Sequence, residues 1–410
     1  MIIKSNFIFT KDKDEFTIEE NKYITVEDGK IKEIKDDCDK EYIDYSDKFM
    51  IPSFVNLHTH APQFLNRGLG YDYELLPWLN KYTFVTESKY KDIEFARKYH
   101  EKFVDDLIRN GSLNSVIFGT IHRKSDNILI DLLKKRKVFS YVGKVNMTMN
   151  SPEYLVESKK ESIDETIKFV EENKDERVKP IITPRFAISV DSDTLKKLSD
   201  IAIENNLPIQ SHLDENLDEV KTVSELFEDD NYASVYYNRN LLGKTKTIMA
   251  HCIYMNDKEI KLMQNPNVFI AHCPRSNMNL KSGIAPIKKY LDLGINVGLG
   301  TDVSGGNNES MLEEIRASIQ VSKLYSIYVD KNTKPIKSSE AFYMATKGGG
   351  KFFGKVGSFE KGYDFNALLI DDKNIVFDRN IDLLDRINAF IYSADDRNIV
   401  KRFVLGEEIY

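Results

Sequence analysis

From residue 54 to residue 301, short apolar runs alternate with longer amphipathic segments, and this alternation restricts the fold more than any other feature of the chain. The runs are residues 54–57, 114–119, 137–145, 180–183, 207–211, 246–250, 267–271 and 295–301. Helical periodicity marks 93–109, 153–172, 192–205, 216–227 and 310–325. Parallel strands need crossovers of about a dozen residues or more, and helices normally supply them. Eight strand–helix units in succession therefore predict an α/β chain with a closed (β/α)8, TIM-like barrel over residues 54–356.

The flanks read differently. Residues 2–9, 23–26 and 30–34 alternate apolar with polar side chains, and Asp28-Gly29 supplies the positive φ angles of a tight hairpin. Strand-like runs return at 365–370, 387–392 and 399–405. Residues 1–53 and 357–410 are thus expected to form one small β domain built from both termini.

Charge and cysteine usage narrow the function. With 58 basic and 65 acidic residues the formal charge is −7, whereas a nucleic-acid partner normally selects a basic excess or stripe. The run Lys134-Lys135-Arg136-Lys137 reads as a solvated helix end. Cys38, Cys252 and Cys273 contain no Cys-x-x-Cys, which argues against a disulfide framework and a cysteine zinc site, and for a reducing compartment. Lys4 and the charged stretch 11–15 suit neither a signal peptide nor an anchor, and no run of 18 apolar residues occurs. A cytoplasmic protein without a membrane partner is expected.

In Asn56-Leu57-His58-Thr59-His60 the two histidines lie two residues apart, so on an extended strand they project to one side and can share a metal ion. The seven histidines are His58, His60, His100, His122, His212, His251 and His272, and all but His100 fall at or just past the end of a predicted strand. That rim is where barrel active sites assemble. Asp302 reaches it from the eighth run. His58, His60, His212 and Asp302 form a candidate ligand set for a divalent cation of Zn²⁺ type, with one position open to water. Such an ion lowers the pKa of bound water to roughly 7. Glu215, three residues after His212, is the candidate proton shuttle, while Asp214 and Asp218 compete with it and fit helix caps or solvated charges equally well. His251 is placed to hydrogen-bond the hydroxide or polarise the atom attacked; His122 and His272 fit structural and catalytic roles alike.

The stretch from Pro52 to His60 with His212, His251 and Gly300-Thr301-Asp302 resembles the amidohydrolase superfamily. More narrowly, His58-Thr59-His60-Ala61-Pro62-Gln63, Leu76-Pro77-Trp78-Leu79 running on to Thr83-Phe84, Pro184-Arg185-Phe186, Gln210-Ser211-His212 with Glu215-Asn216, and Ala271-His272-Cys273-Pro274 with Ser276-Asn277 are similar to guanine deaminases. The likeness extends to Asp395-Asp396-Arg397-Asn398 and spans nearly the whole chain. It implies Zn²⁺ on His58, His60, His212 and Asp302, with Glu215, His251 and Asp302 in catalysis. It also implies guanine contacts from Gln63, Arg185 and Phe186 beside His60, His212 and Glu215, with Trp78 as a pocket wall. Relatives with two metals bridge them through a modified lysine at the end of the fourth strand; Thr183-Pro184-Arg185-Phe186 stands there, so one Zn²⁺ per subunit is expected. The terminal module is implied to be a β-sandwich and the protein a homodimer. The implied reaction is hydrolytic deamination of guanine to xanthine and ammonia, by attack of metal-bound hydroxide on C2, with Glu215 passing the water's proton to N3. Residues 68–90 are a candidate lid by length and position.

Two departures from the pattern stand out. Asp214 replaces a small polar residue and is expected to raise the pKa of Glu215 by like-charge repulsion, and Cys252-Ile253 follow His251 where a glycine is common. The alternatives are the same metal chemistry on another heterocycle (adenosine-type, triazine, modified purine or cyclic amide), or a non-catalytic scaffold. Pro184-Arg185-Phe186 favours guanine, and the complete ligand set favours chemistry. The His-x-Glu with Pro-Cys-x-x-Cys pattern of cytidine-deaminase-like enzymes is absent.

Overall fold

The computed structural model describes residues 1–378 and 380–410. Each of the eight apolar runs contributes to a strand. Phe54–His60, Ser112–Phe118, Phe139–Gly143 and Val178–Pro180 form one parallel four-stranded sheet in that order. Ile209–Leu213, Thr247–His251, Val268–His272 and Asn296–Leu299 form another. Residues Ile209–Leu213 and Ser112–Phe118 are buried along their whole length, as strands covered on both faces must be.

The fourth run splits in two. Val178–Pro180 pairs with Phe139–Gly143, while Thr183–Pro184 pairs with Val145–Asn146. Pro180 and Pro184 lack the N–H that a continuous ladder needs. Ile182 bridges in parallel to Ile209 and joins the two sheets on one side. On the other side the Asp302 N–H donates to His58 O at 2.8 Å and the His60 N–H to Val303 O at 3.1 Å.

The crossovers begin on side-chain caps. Asp92 accepts from the N–H groups of Glu94 and Phe95 at the head of Ile93–Arg109, and Asp191 does the same for Ser192–Glu204. Asn216 and Glu219 form a reciprocal capping box on Leu217–Leu226. Two expectations are corrected. Residues 153–172 are not one helix: a short turn at Glu153–Leu155 precedes Lys159–Glu172, because Ser158 caps the helix by accepting from Glu161 N–H. Residues 387–392 are not a strand but part of the helix Leu383–Ser393, which buries Leu383, Ile387, Phe390 and Ile391 at helical spacing behind the cap Asp382.

The termini meet in a single seven-stranded sheet ordered Glu407–Glu408, Ile399–Val404, Ala367–Ile370, Ile43–Pro52, Ile2–Phe9, Thr17–Glu27, Lys30–Lys35. Asp28 (φ 49°) and Gly29 (φ 74°) make the predicted hairpin turn. Arg402 ties this sheet to the helix Ile93–Arg109 by donating to Ile108 O at 2.9 Å, and it also donates to Ile399 O at 2.8 Å in its own strand.

Gly143 marks the closest approach inside the parallel strands. A Cβ there would lie 1.7 Å from Thr183 Oγ1 and 2.8 Å from Gln210 Nε2. Gly143→Ala should therefore destabilise the protein by about 1–3 kcal/mol, read as a lowered urea midpoint at unchanged slope; an unshifted midpoint would show that the strands can part without cost.

Candidate active site

His58 and His60 reach the rim from the first strand, and their Nε2 atoms lie 3.2 Å apart. Asp302 Oδ1 is 3.1 Å from His58 Nε2 and 3.2 Å from His60 Nε2. Donor atoms of His58, His212, His251 and Asp302 all fall within 4.8 Å of one another, and all four residues are buried. The geometry thus brings together the four predicted ligands and adds His251 to the same cluster.

Protonation states follow from the surroundings. Burial pushes His60 and His251 down to about 4 and His212 well below its ordinary value, so these imidazoles are neutral lone-pair donors. Burial alone would raise Asp302, but His58 and His60 outweigh it and hold the carboxylate ionised. The Nδ1 of His212 lies 2.6 Å from Arg185 O, a partner that can only accept, which leaves Nε2 free to ligate. His251 Nδ1 is held in the same way by Asn277 Oδ1 at 2.8 Å, and its Nε2 has no hydrogen-bond partner. Several neutral imidazoles and one carboxylate converging in a buried space fit a divalent cation with nitrogen and oxygen ligands.

Glu215 follows the fifth parallel strand, and its Oε2 lies 3.4 Å from His251 Nε2. Burial raises its pKa well above the ordinary value, and Glu219 adds to the shift. Glu219 also accepts from the Glu215 N–H at 2.8 Å and the Asn216 N–H at 3.3 Å, which fixes the loop that carries Glu215. The expected influence of Asp214 is corrected here: its carboxyl lies against Glu259, since adjacent residues leave a strand end in opposite directions. Asp218 belongs to the first turn of Leu217–Leu226.

Above these groups opens a narrow cleft whose lining includes His60, Gln63, Trp78, Arg185, Phe186 and Glu215. Every residue predicted to contact substrate is in that lining. Trp78 is anchored by its indole N–H on Leu69 O at 2.9 Å. Leu75 and Leu79, from the short helical turns of the predicted lid, and Leu280 complete the wall. His122 stands at the position preceding the helix Arg123–Lys135, outside the cleft and without a side-chain capping bond, His100 contacts Ser125 Oγ at 3.0 Å, and His272 is buried with both ring nitrogens unpartnered. Sequence reasoning missed Glu87, which binds Gln63 and Arg185 from beneath, and Glu309, which binds Thr59 and Thr301 behind the ligands.

With this arrangement in view, comparison with known proteins is decisive. Residues 49–409 match the amidohydrolase family. The chain belongs to that family. It is 40% identical over 378 residues to the guanine deaminase of Dictyostelium discoideum, covering 90% of this chain and 84% of that one. It is 32% identical over 370 residues to the 5'-deoxyadenosine deaminase of Methanocaldococcus jannaschii, covering 88% and 85%. It superposes on the crystal structure of guanine deaminase from C. acetobutylicum, which has guanine bound in its active site, with a TM-score of 0.97 at 46% identity over 100% of this chain and 99% of that one.

Because His212 offers one of the converging nitrogens, His212→Ala should weaken Zn²⁺ binding by at least about tenfold in equilibrium dialysis while the far-ultraviolet spectrum stays native. Unchanged affinity would remove His212 from the donor set.

Proposed function

We propose that the chain catalyses the zinc-dependent hydrolytic deamination of guanine to xanthine and ammonia. The observation that carries this is the pairing, across one buried cleft, of a His/Asp donor cluster and Glu215 with the forked donor Arg185 and the amide Gln63. Similarity to guanine deaminases over nearly the full chain supports the same reading.

His58, His60, His212 and Asp302 would hold a single ion, with His251 beside it. Zn²⁺, when bound, supplies Lewis acidity that lowers the pKa of a water molecule to roughly 7. Arg185 recognises the acceptors O6 and N7 of guanine, Gln63 donates and accepts along the purine edge, and Phe186 lies against the ring. Glu215, acting as a carboxylate whose proton affinity burial raises, takes a proton from the water that attacks C2 and gives it to N3. His251 keeps its Nδ1–H on Asn277, so its Nε2 accepts a hydrogen bond and orients that water. The hydroxyl now on C2 then yields its proton, through the same carboxylate, to the exocyclic amine; the C2–N bond breaks, a carbonyl forms at C2 and ammonia leaves.

The architecture belongs to the same proposal. The backbone bonds from residues 302 and 303 to the first strand, and the bridge from Ile182 to Ile209, support closure of the parallel strands into a (β/α)8 barrel over 54–356. Residues 1–53 and 357–410 then form one flanking domain around the seven-stranded sheet rather than two separate facing sheets. A cytoplasmic homodimer completes the reading, which the net charge of −7 and the lack of a membrane-length apolar helix among the described residues accommodate.

Two variants separate the roles. Glu215→Gln should lower kcat by about 10²–10⁴-fold with Zn²⁺ content unchanged; near-normal kcat would end the assignment. Arg185→Ala should lower kcat/KM for guanine by roughly 10–100-fold, and wild-type values would remove it from recognition. Following ultraviolet absorbance with guanine, adenine and adenosine in parallel tests the substrate itself: turnover confined to the adenine compounds would favour the adenosine-type alternative.

A further inference from the structure

Glu87 has no place in the mechanism above, yet it is 3% exposed and sits behind the cleft. One of its oxygens, Oε2, accepts from Arg185 Nη1 at 2.6 Å, and the other, Oε1, accepts from Gln63 Nε2 at 2.9 Å. Gln63 Oε1 in turn accepts from the Ser304 N–H at 3.1 Å. The Ser304 hydroxyl reaches the same oxygen at 3.5 Å, so the amide orientation of Gln63 is fixed at both ends, leaving one N–H for the cleft. The Arg185 guanidinium also lies 5.0 Å from the ring of Phe84, which shares the helix Phe84–Ser88 with Glu87. A single carboxylate therefore holds two recognition residues that come from different parts of the chain.

We propose that Glu87 is a positioning residue that neutralises the guanidinium side of the cleft, so that the cleft selects an uncharged purine over an anionic one. The inference rests on the purine-deaminase reading. A buried guanidinium without a counter-charge would recruit an anion to replace lost hydration. Paired with Glu87, Arg185 keeps its directional donors but presents little net charge. An anionic base then surrenders its water for hydrogen bonds alone. The same pairing restrains the guanidinium plane, which lowers the entropy lost when the purine docks.

The test uses the zinc-loaded enzyme and two product-like inhibitors at about pH 8, where xanthine is largely anionic and hypoxanthine largely neutral. In Glu87→Gln the guanine KM should rise about tenfold or more with kcat within about threefold, and xanthine inhibition should tighten at least about fivefold relative to hypoxanthine. Asp302 and Glu215 also face the cleft and are the same in both enzymes, so the ratio isolates the charge of Glu87. Glu87→Asp keeps that charge at shorter reach; it should raise the guanine KM yet leave the inhibitor ratio within about twofold of wild type. An unmoved ratio in Glu87→Gln, or an unchanged guanine KM in Glu87→Asp, overturns the proposal. The second variant decides alone if the first does not fold. Absence of guanine turnover in the wild type would instead sink the reading on which the proposal rests.

Discussion

The structure depends on forcing ionisable groups of the first and last parallel strands into one dry space. His58, His60 and Asp302 approach to 3.1–3.2 Å although burial penalises any charge they carry. A polar network behind them holds this arrangement. Asn56 Oδ1 accepts the His58 N–H at 3.2 Å and the Thr301 N–H at 3.1 Å, and Asn56 Nδ2 donates to Thr301 Oγ1 at 2.7 Å. Glu309 takes the hydroxyls of Thr59 at 2.9 Å and Thr301 at 2.7 Å. Burial pushes Glu309 up to about 7, so even this support is a carboxyl poised between its two forms. Each member is satisfied by another, and such a network specifies one arrangement of two strands rather than a family of them.

The same economy of buried charge divides the cleft into two poles. On the metal side, neutral imidazoles and one ionised carboxylate concentrate donor atoms. On the opposite side, Arg185 and Gln63 meet Glu87, so the guanidinium charge is paired. Glu215 lies on the metal side with its own backbone N–H held by Glu219, whose other oxygen accepts from the Tyr232 hydroxyl at 2.7 Å. Glu219 both fixes the position of Glu215 through a capping box and raises its proton affinity through its like charge, the two properties that the proposed proton transfer needs.

What could be read from the sequence was whatever depends on short spacing. His58 and His60 are visible as a pair because a strand repeats every two residues. The eight runs are visible because buried parallel strands are apolar on both faces. Residues 387–392 look like a strand in the sequence because so short a mostly apolar run has no period of its own; the cap at Asp382, and Leu383 one turn before Ile387, are the signals that mark a helix. Glu87 and Glu309 carried no local mark. Their partners lie 98 residues away at Arg185 and 250 residues away at Thr59, and each glutamate sits among charged or polar neighbours typical of a solvated face.

Asp214 shows why proximity in sequence is a poor guide to electrostatics. It is bonded to the next residue, Glu215, yet its side chain leaves on the opposite side and is buried against Glu259. The carboxylate that raises Glu215 is Glu219, four residues on, brought back by the first turn of a helix. A helix start can therefore place a charge beside the residue before it more reliably than a strand end can place one beside its neighbour. A carboxyl at position 214 leaves Glu215 undisturbed because the backbone sends it toward Glu259, and the raised proton affinity at position 215 comes from burial and from the capping residue Glu219.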